Sequence, residues 1–200
     1  MAAPIEFYFD FSSPFGYLAS EKIDQLAAKY GREVMWRPYL LGAVFKITGG
    51  MPTMLIPIKG DYYRRDFARS ARYLGLEYRQ PTAFPISSVT PSRAFYWLDS
   101  KDPLRARELA HALYRAYFVD DVDISSAENT IALAAKMGLD ADAVRAGIND
   151  AAVKDRTKAE VEKAIAKGAF GSPYIIVDGE PFWGSDRLDQ IDKWLATGGW

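Results

Sequence analysis

The sequence predicts an α/β fold: a β-α-β unit at the start of the chain, a β-β-α unit at its end, and a large all-helical insertion between them. Three observations carry this. Ile5 to Asp10 (Ile-Glu-Phe-Tyr-Phe-Asp) is apolar and aromatic and stops at Ser-Ser-Pro, as a buried strand does where it runs into a helix. Pro173 to Val177 is a second apolar, β-branched stretch, followed by Asp178-Gly179, a tight hairpin turn. Between Glu33–Arg37, a short strand that closes the first unit, and Pro173, helix starts and stops recur with no further strand pattern.

Taken in order, the first strand spans Ile5 to Asp10. The residue before a proline is pushed out of the α region and proline suits the first helical position, so Ser13 is placed as N-cap and Pro14 opens a helix. That helix runs to about Tyr30, with Leu18, Ile23, Leu26 and Ala27 inward and Gly31 as its stop. Glu33 to Arg37 is the second strand, parallel to the first and ended by Pro38. Tyr39 to Thr53, with Gly42, Gly49, Gly50 and Pro52, is expected to be a loop.

The insertion follows. Asp61 to Leu74 forms a helix closed by Gly75, Thr90 caps one opened by Pro91, and Asp102 caps one that Pro103 opens and that runs to Phe118. Ser125 and Glu128 form a capping box for a helix ending at Gly138; Asp140 starts a short one, and Asn149 to Lys167 is the last. After the hairpin, Pro181 to Trp183 returns and Gly184-Ser185-Asp186 opens a final helix through Leu195. This order is that of the thioredoxin fold, with residues 1–40 and 168–200 as its domain and 41–167 inserted.

Composition narrows the function classes. Twenty-five basic and 26 acidic residues give a net charge of −1, which offers nucleic acid or an anionic membrane no electrostatic footing. With no cysteine, a disulfide, a thiolate metal site and dithiol redox chemistry are all excluded, in keeping with a reducing cytoplasm. No window approaches the roughly 18 apolar residues of a membrane span, and the N-terminus has no targeting pattern, so a soluble, untargeted chain is expected. There is no glycine-rich phosphate motif after a strand and no metal-spaced histidine pair; His111, the only histidine, is read as structural.

Candidate chemistry sits at the first strand-to-helix junction. Ser13-Pro14-Phe15-Gly16 stands where redox members of this fold carry Cys-x-x-Cys. A serine cannot cycle between thiol and disulfide. A helix N-terminus with one hydroxyl can still hold an anion, including a thiolate that arrives on a ligand. The plain alternative is that Ser13 is only an N-cap. Ser172-Pro173 lies just before a strand and is compatible with a cis bond; Ser185-Asp186 is either a cap with a first-turn acid or a site for an α-amino and α-carboxylate pair. The run from Lys59 through Tyr62 to Arg69 is largely surface by pattern, and Arg93 either faces solvent or turns inward to meet an organic carboxylate.

Phe7-Tyr-Phe-Asp-Phe-Ser-Ser-Pro-Phe-Gly-Tyr-Leu18, Thr48-Gly-Gly-Met-Pro52, Pro57-Ile-Lys-Gly-Asp-Tyr62, and Gly168-Ala-Phe-Gly-Ser-Pro-Tyr174 with Asp178 to Leu188 resemble 2-hydroxychromene-2-carboxylate isomerases, relatives of kappa-class glutathione transferases. The resemblance covers the chain in order. It implies a DsbA-like thioredoxin fold, a cytoplasmic homodimer, glutathione as cofactor, and the interconversion of a hydroxychromene carboxylate with an open-chain benzylidenepyruvate. By position it implies that Ser13 faces the glutathione sulfur, Ser172 and Pro173 pair with the cysteinyl backbone, Ser185 and Asp186 take the γ-glutamyl end, and Lys59 takes a carboxylate. Arg93 and Tyr62 are candidates on the side of a small aromatic carboxylate substrate. Gly50 stands where the family usually has Asn, and Ser172 where it has Val or Leu. Two alternatives stay open: a kappa-like glutathione transferase, and a cysteine-less thioredoxin-fold binding protein without catalysis.

Overall fold

The computed structural model describes residues 3–200. Its four-stranded sheet has the order β2-β1-β3-β4, with β1 (Ile5–Phe9) central. β2 (Val34–Pro38) pairs parallel to β1, with Phe7 opposite Trp36; β3 (Tyr174–Val177) pairs antiparallel to β1, and β4 (Glu180–Trp183) antiparallel to β3. The hairpin turn has Asp178 at φ 52 and Gly179 at φ 91, both left-handed as a two-residue turn of this kind requires. The expected β-α-β and β-β-α order holds, and the fold is thioredoxin-like.

A strand alternates its side chains between faces, and β1 shows why its run is apolar on both faces except at Glu6, which pairs with Arg37 and Lys167. Ile5, Phe7 and Phe9 enter one core with Trp36, Ile175 and Val177, while Tyr8 enters a second with Tyr39, Tyr174 and Ile176. The first core continues through α1 (Pro14–Ala28), α4 (Val89–Asp99), α5 (Pro103–Phe118), α6 (Ala127–Lys136) and α7 (Ala141–Asn149). The second is covered by α8 (Ala151–Ala166) and by Val44. α3 (Lys59–Tyr73) and α9 (Leu188–Thr197) complete the helices that bear on the site. Among the described residues no helix is long and apolar enough to cross a membrane.

Five local expectations need correction. Residues 39–53 are not all loop: α2 spans Leu41–Thr48 and stops at Gly49, φ 71. Its N-cap, Leu40, has no capping side chain; the Leu41 N–H instead donates to Asp10 Oδ2 at 2.8 Å, a cap supplied from 31 residues away. α4 begins at Val89 after Ser88, so Thr90 and Pro91 lie within its first turn. The N-cap of α6 is Ser126, accepting from the Asn129 N–H, because Asp123 accepts both the N–H and the hydroxyl of Ser125, and Glu128 pairs with Arg145 rather than folding back. α8 is capped by Asp150, one residue beyond the expected start, and Ser185–Arg187 forms a 3-10 turn ahead of α9.

α4 and α7 approach closely enough that a side chain at Gly147 would collide with the Trp97 indole. Gly147→Ala is therefore expected to destabilise the fold by about 1–3 kcal/mol despite the better helix propensity of alanine. A lowered urea midpoint checks this, and an unchanged or raised midpoint contradicts the packing.

Candidate active site

The N-terminus of α1 opens into a cleft of about 1540 Å³. Its walls come from α1, α2, α3, the loop before α4, the Phe170–Ser172 segment and the start of α9. Ser13 is buried at the mouth of α1. Its Oγ accepts from the Gly16 N–H at 3.0 Å, as an N-cap does, and donates to the Ser172 carbonyl at 2.8 Å. Capping and contact with the facing loop are thus combined in one hydroxyl.

The Ser172-Pro173 bond is cis. Ser172 Oγ accepts from the Asp10 N–H at 2.9 Å, and the Tyr39 hydroxyl donates to the Gly171 carbonyl at 2.6 Å, so this loop is tied to the ends of β1 and β2. Gly16 is required where it stands: a Cβ there would come within 2.7 Å of both Ser172 Oγ and the Tyr114 hydroxyl.

Asp10 lies beneath this junction, 3% exposed. Oδ1 accepts from the Ser12 N–H at 2.7 Å and Oδ2 from the Leu41 N–H, and the Ser88 hydroxyl also faces the carboxylate. Burial pushes the carboxyl above its ordinary value of 3.8, and these donors oppose the shift without cancelling it. Its backbone carbonyl accepts from the Ser13 N–H at 2.9 Å and from the Tyr114 hydroxyl at 3.0 Å. One residue therefore contacts the starts of α1, α2 and α4, the cis-proline loop and α5.

Further along the cleft, Ser185 is buried, while the Asp186 carboxylate is exposed and pairs with Arg187 at 3.2 Å. Gly184, at φ 111, lets the Asp186 carboxylate lie over its α-carbon. Tyr62 lines the opposite wall, its hydroxyl accepting from Arg69 at 3.0 Å. The apolar lining includes Phe15, whose ring meets Phe67 edge-on at 4.8 Å, with Tyr63 stacked on Phe67 beyond it.

Of the residues singled out in the sequence, Ser13, Ser172, Ser185, Asp186 and Tyr62 line this one cleft. Pro173 is buried behind Ser172, its carbonyl accepting from the Gly184 N–H at 3.1 Å. Lys59 is exposed at the start of α3 and Arg93 is half-buried on α4, and neither is among the lining residues. Arg93 Nε is buried without a hydrogen-bond partner among the described residues. Asp10 was not singled out, though an acid closing a buried aromatic strand is a visible anomaly. Lys46, Phe45 and Trp183, which also line the cleft, carried no readable signal. Among the described residues there is no group of three or more potential metal ligands.

Residues 4–196 match the model of the DSBA-like thioredoxin domain. The chain belongs to that family. It is 29% identical to a 2-hydroxychromene-2-carboxylate isomerase of Sphingobium xenophagum, over 98% of this chain and 99% of the relative. It is 27% identical to glutathione S-transferase kappa 2 of Caenorhabditis elegans, over 96% and 91%. Among solved structures, a 2-hydroxychromene-2-carboxylate isomerase superposes with a TM-score of 0.84 at 25% identity, covering 96% of this chain and 94% of that one. Relatives named as isomerase and as glutathione transferase support an enzyme of this DsbA-like class.

The raised Asp10 carboxyl predicts a pH effect. Between 3.8 and its folded value the native state holds a proton that the unfolded chain has lost, so stability falls as pH rises through that window. Asp10→Asn removes this dependence. In paired urea unfolding between about pH 4 and 8, the stability of wild type relative to Asp10→Asn should decline with rising pH and then level off. A difference that grows in favour of wild type would mean that the carboxylate is stabilised, not penalised, where it lies.

Proposed function

We propose that the protein is a glutathione-dependent isomerase that interconverts 2-hydroxychromene-2-carboxylate and trans-o-hydroxybenzylidenepyruvate, or a related aromatic α-keto acid. The observation that carries this is the placement of Ser13: a hydroxyl on a helix N-terminus, facing a cis-proline loop, in a cleft with aromatic walls and no thiol of its own.

The residues fit glutathione at three points. Ser13 Oγ is a donor already turned toward the loop, and rotation about its Cβ–Oγ bond redirects the hydroxyl proton from the Ser172 carbonyl to an incoming sulfur while the oxygen keeps the Gly16 N–H. Ser172 then offers its freed carbonyl to a peptide-like ligand lying across the loop. Ser185 and the Asp186–Arg187 pair present both signs of charge to an α-amino acid end.

Glutathione, held by Ser13, Ser172, Ser185 and Asp186, would supply a thiolate nucleophile capable of reversible addition to a conjugated carbon of the substrate. Ser13 and the first N–H groups of α1 stabilise negative charge on whatever atom sits against them. A charge-assisted hydrogen bond contributes about 1.5–3 kcal/mol and the helix dipole about 0.3–2, enough to favour the ionised form of a ligand thiol by one to two pKa units. Phe15 and its neighbours exclude water and orient a flat substrate.

Kappa-like transferase activity is the second reading, favoured by the kappa-class relatives. The two differ in whether turnover consumes glutathione or only requires it. A cytoplasmic homodimer belongs to the same reading; Ile47, Met51, Leu55 and Ile58 are exposed around α2 and α3 and give a second copy an apolar surface to cover.

Titration calorimetry with glutathione should give saturable binding below millimolar concentration, and none up to that level would remove both readings. In an absorbance assay with hydroxychromene carboxylate, Ser13→Ala should lower turnover by about 10- to 100-fold with glutathione regenerated in full. An undiminished rate would take Ser13 out of the mechanism.

A further inference from the structure

The cleft is rich in carboxylates for a site that is to hold anions. Asp10, Asp66, Asp186 and Asp189 line it, against two cations, Lys46 and Arg187. Arg187 is engaged by Asp186, and Asp66 by Arg69. Lys46 is in no ion pair and no hydrogen bond among the described residues, so it is the one lining cation whose charge is not already answered. Glutathione carries two carboxylates and one ammonium, and the aromatic α-keto acid adds another carboxylate. Such ligands are repelled by an acid-rich lining unless a cation is left free for them.

The position of Lys46 suits that role. It lies in the last turn of α2, the helix whose first N–H is held by Asp10 Oδ2. The wall that carries it is therefore fixed to the same carboxylate as the Ser13 junction. A lysine in a last helical turn also complements the carbonyl end of the dipole, but that contribution is indifferent to whether the side chain faces a cleft, as this one does. Next to it, Phe45 packs over Gly50, where a Cβ would lie 2.9 Å from Phe45 Cδ1. Phe45 and Phe84 both line the cleft, so consecutive residues of α2 present an aromatic ring and a free ammonium. That pairing matches a ligand made of a flat ring and an acid group.

We infer that Lys46 is the specificity-determining cation of the cleft and binds the carboxylate of the ligand held there. The identity of the ligand rests on the proposed function; the unanswered charge does not. The carboxylate can come from the glycyl end of glutathione or from the aromatic acid, and separate probes distinguish these.

The test is calorimetry on wild type, Lys46→Met and Lys46→Arg with three probes: glutathione, γ-glutamylcysteine, which lacks the glycyl carboxylate, and o-hydroxybenzylidenepyruvate. Lys46 is exposed, so the fold should tolerate both variants, and circular dichroism verifies this. Lys46→Met should weaken glutathione or the keto acid by about fivefold or more at low salt, less as salt is raised, with Lys46→Arg retaining affinity. Loss for glutathione but not γ-glutamylcysteine assigns the glycyl carboxylate; loss for the keto acid alone assigns the substrate. Unchanged affinity for both, or loss on Lys59→Met while Lys46→Met binds normally, overturns the assignment. If wild type binds no glutathione, the proposed function fails and the keto acid alone decides Lys46. A wild type that binds neither overturns both.

Discussion

The Asp10 carboxylate is buried with no basic side chain among the described residues paired to it, and the separate pieces of the cleft are built on it. Its two oxygens hold the N–H groups of Ser12 and Leu41, its backbone N–H holds the Ser172 hydroxyl, and its carbonyl takes the Ser13 N–H and the Tyr114 hydroxyl. Placing an acid there opposes folding through desolvation. What the placement achieves is register: the starts of α1 and α2 and the cis-proline loop are fixed to one residue, so their donors point into one space. The Tyr39 and Tyr114 hydroxyls, both raised well above the ordinary range by burial, act here as neutral donors that brace the same junction.

That bracing gives the single hydroxyl of Ser13 its consequence. In the thioredoxin-like frame, a helix N-terminus against a cis-proline loop can serve a resident thiol or a borrowed one. Without cysteine, this chain has the polar half of such a site and no sulfur: Ser13 Oγ, the Gly16 N–H that donates to it and the Ser172 carbonyl that accepts from it satisfy one another. A reactive group brought in on a ligand would replace the Ser13–Ser172 contact and leave the surrounding network intact. Specificity then falls to the outer wall, where α2 and α3 bring aromatic rings and a few charges.

How much of this was legible in the sequence depends on how local the cause is. Ser13 as N-cap before Pro14, Asp102 before Pro103, Asp140 as a cap and the Asp178-Gly179 turn are set by residues within four positions of one another, and each stands where the sequence puts it. α2 was hidden because its cap is Asp10, distant in the chain, and its own Gly42 and Gly49 resemble a loop. The start of α4 was misplaced because Ser88, an ordinary capping residue, turns its hydroxyl to the same carboxylate and makes no cap bond. At Ser125, a competing local acceptor, Asp123, displaced the capping box. Ser13, Ser172, Ser185 and Asp186 stand out in the end motifs by local pattern, whereas Asp10, Lys46 and Phe45 acquire meaning only once α2 exists for them to hold or be carried by.

The thiol of glutathione bound to the protein offers the most direct measurement, since its ionised form absorbs in the ultraviolet where the protonated form does not. Titrating that absorbance against pH in the complex reads the electrostatic effect of Ser13 and the α1 N-terminus on the sulfur. If they hold it as proposed, the midpoint lies one to two units below the roughly 8.5 of a free thiol. A midpoint equal to that of free glutathione, with binding saturated, would contradict a role for this junction in stabilising the sulfur.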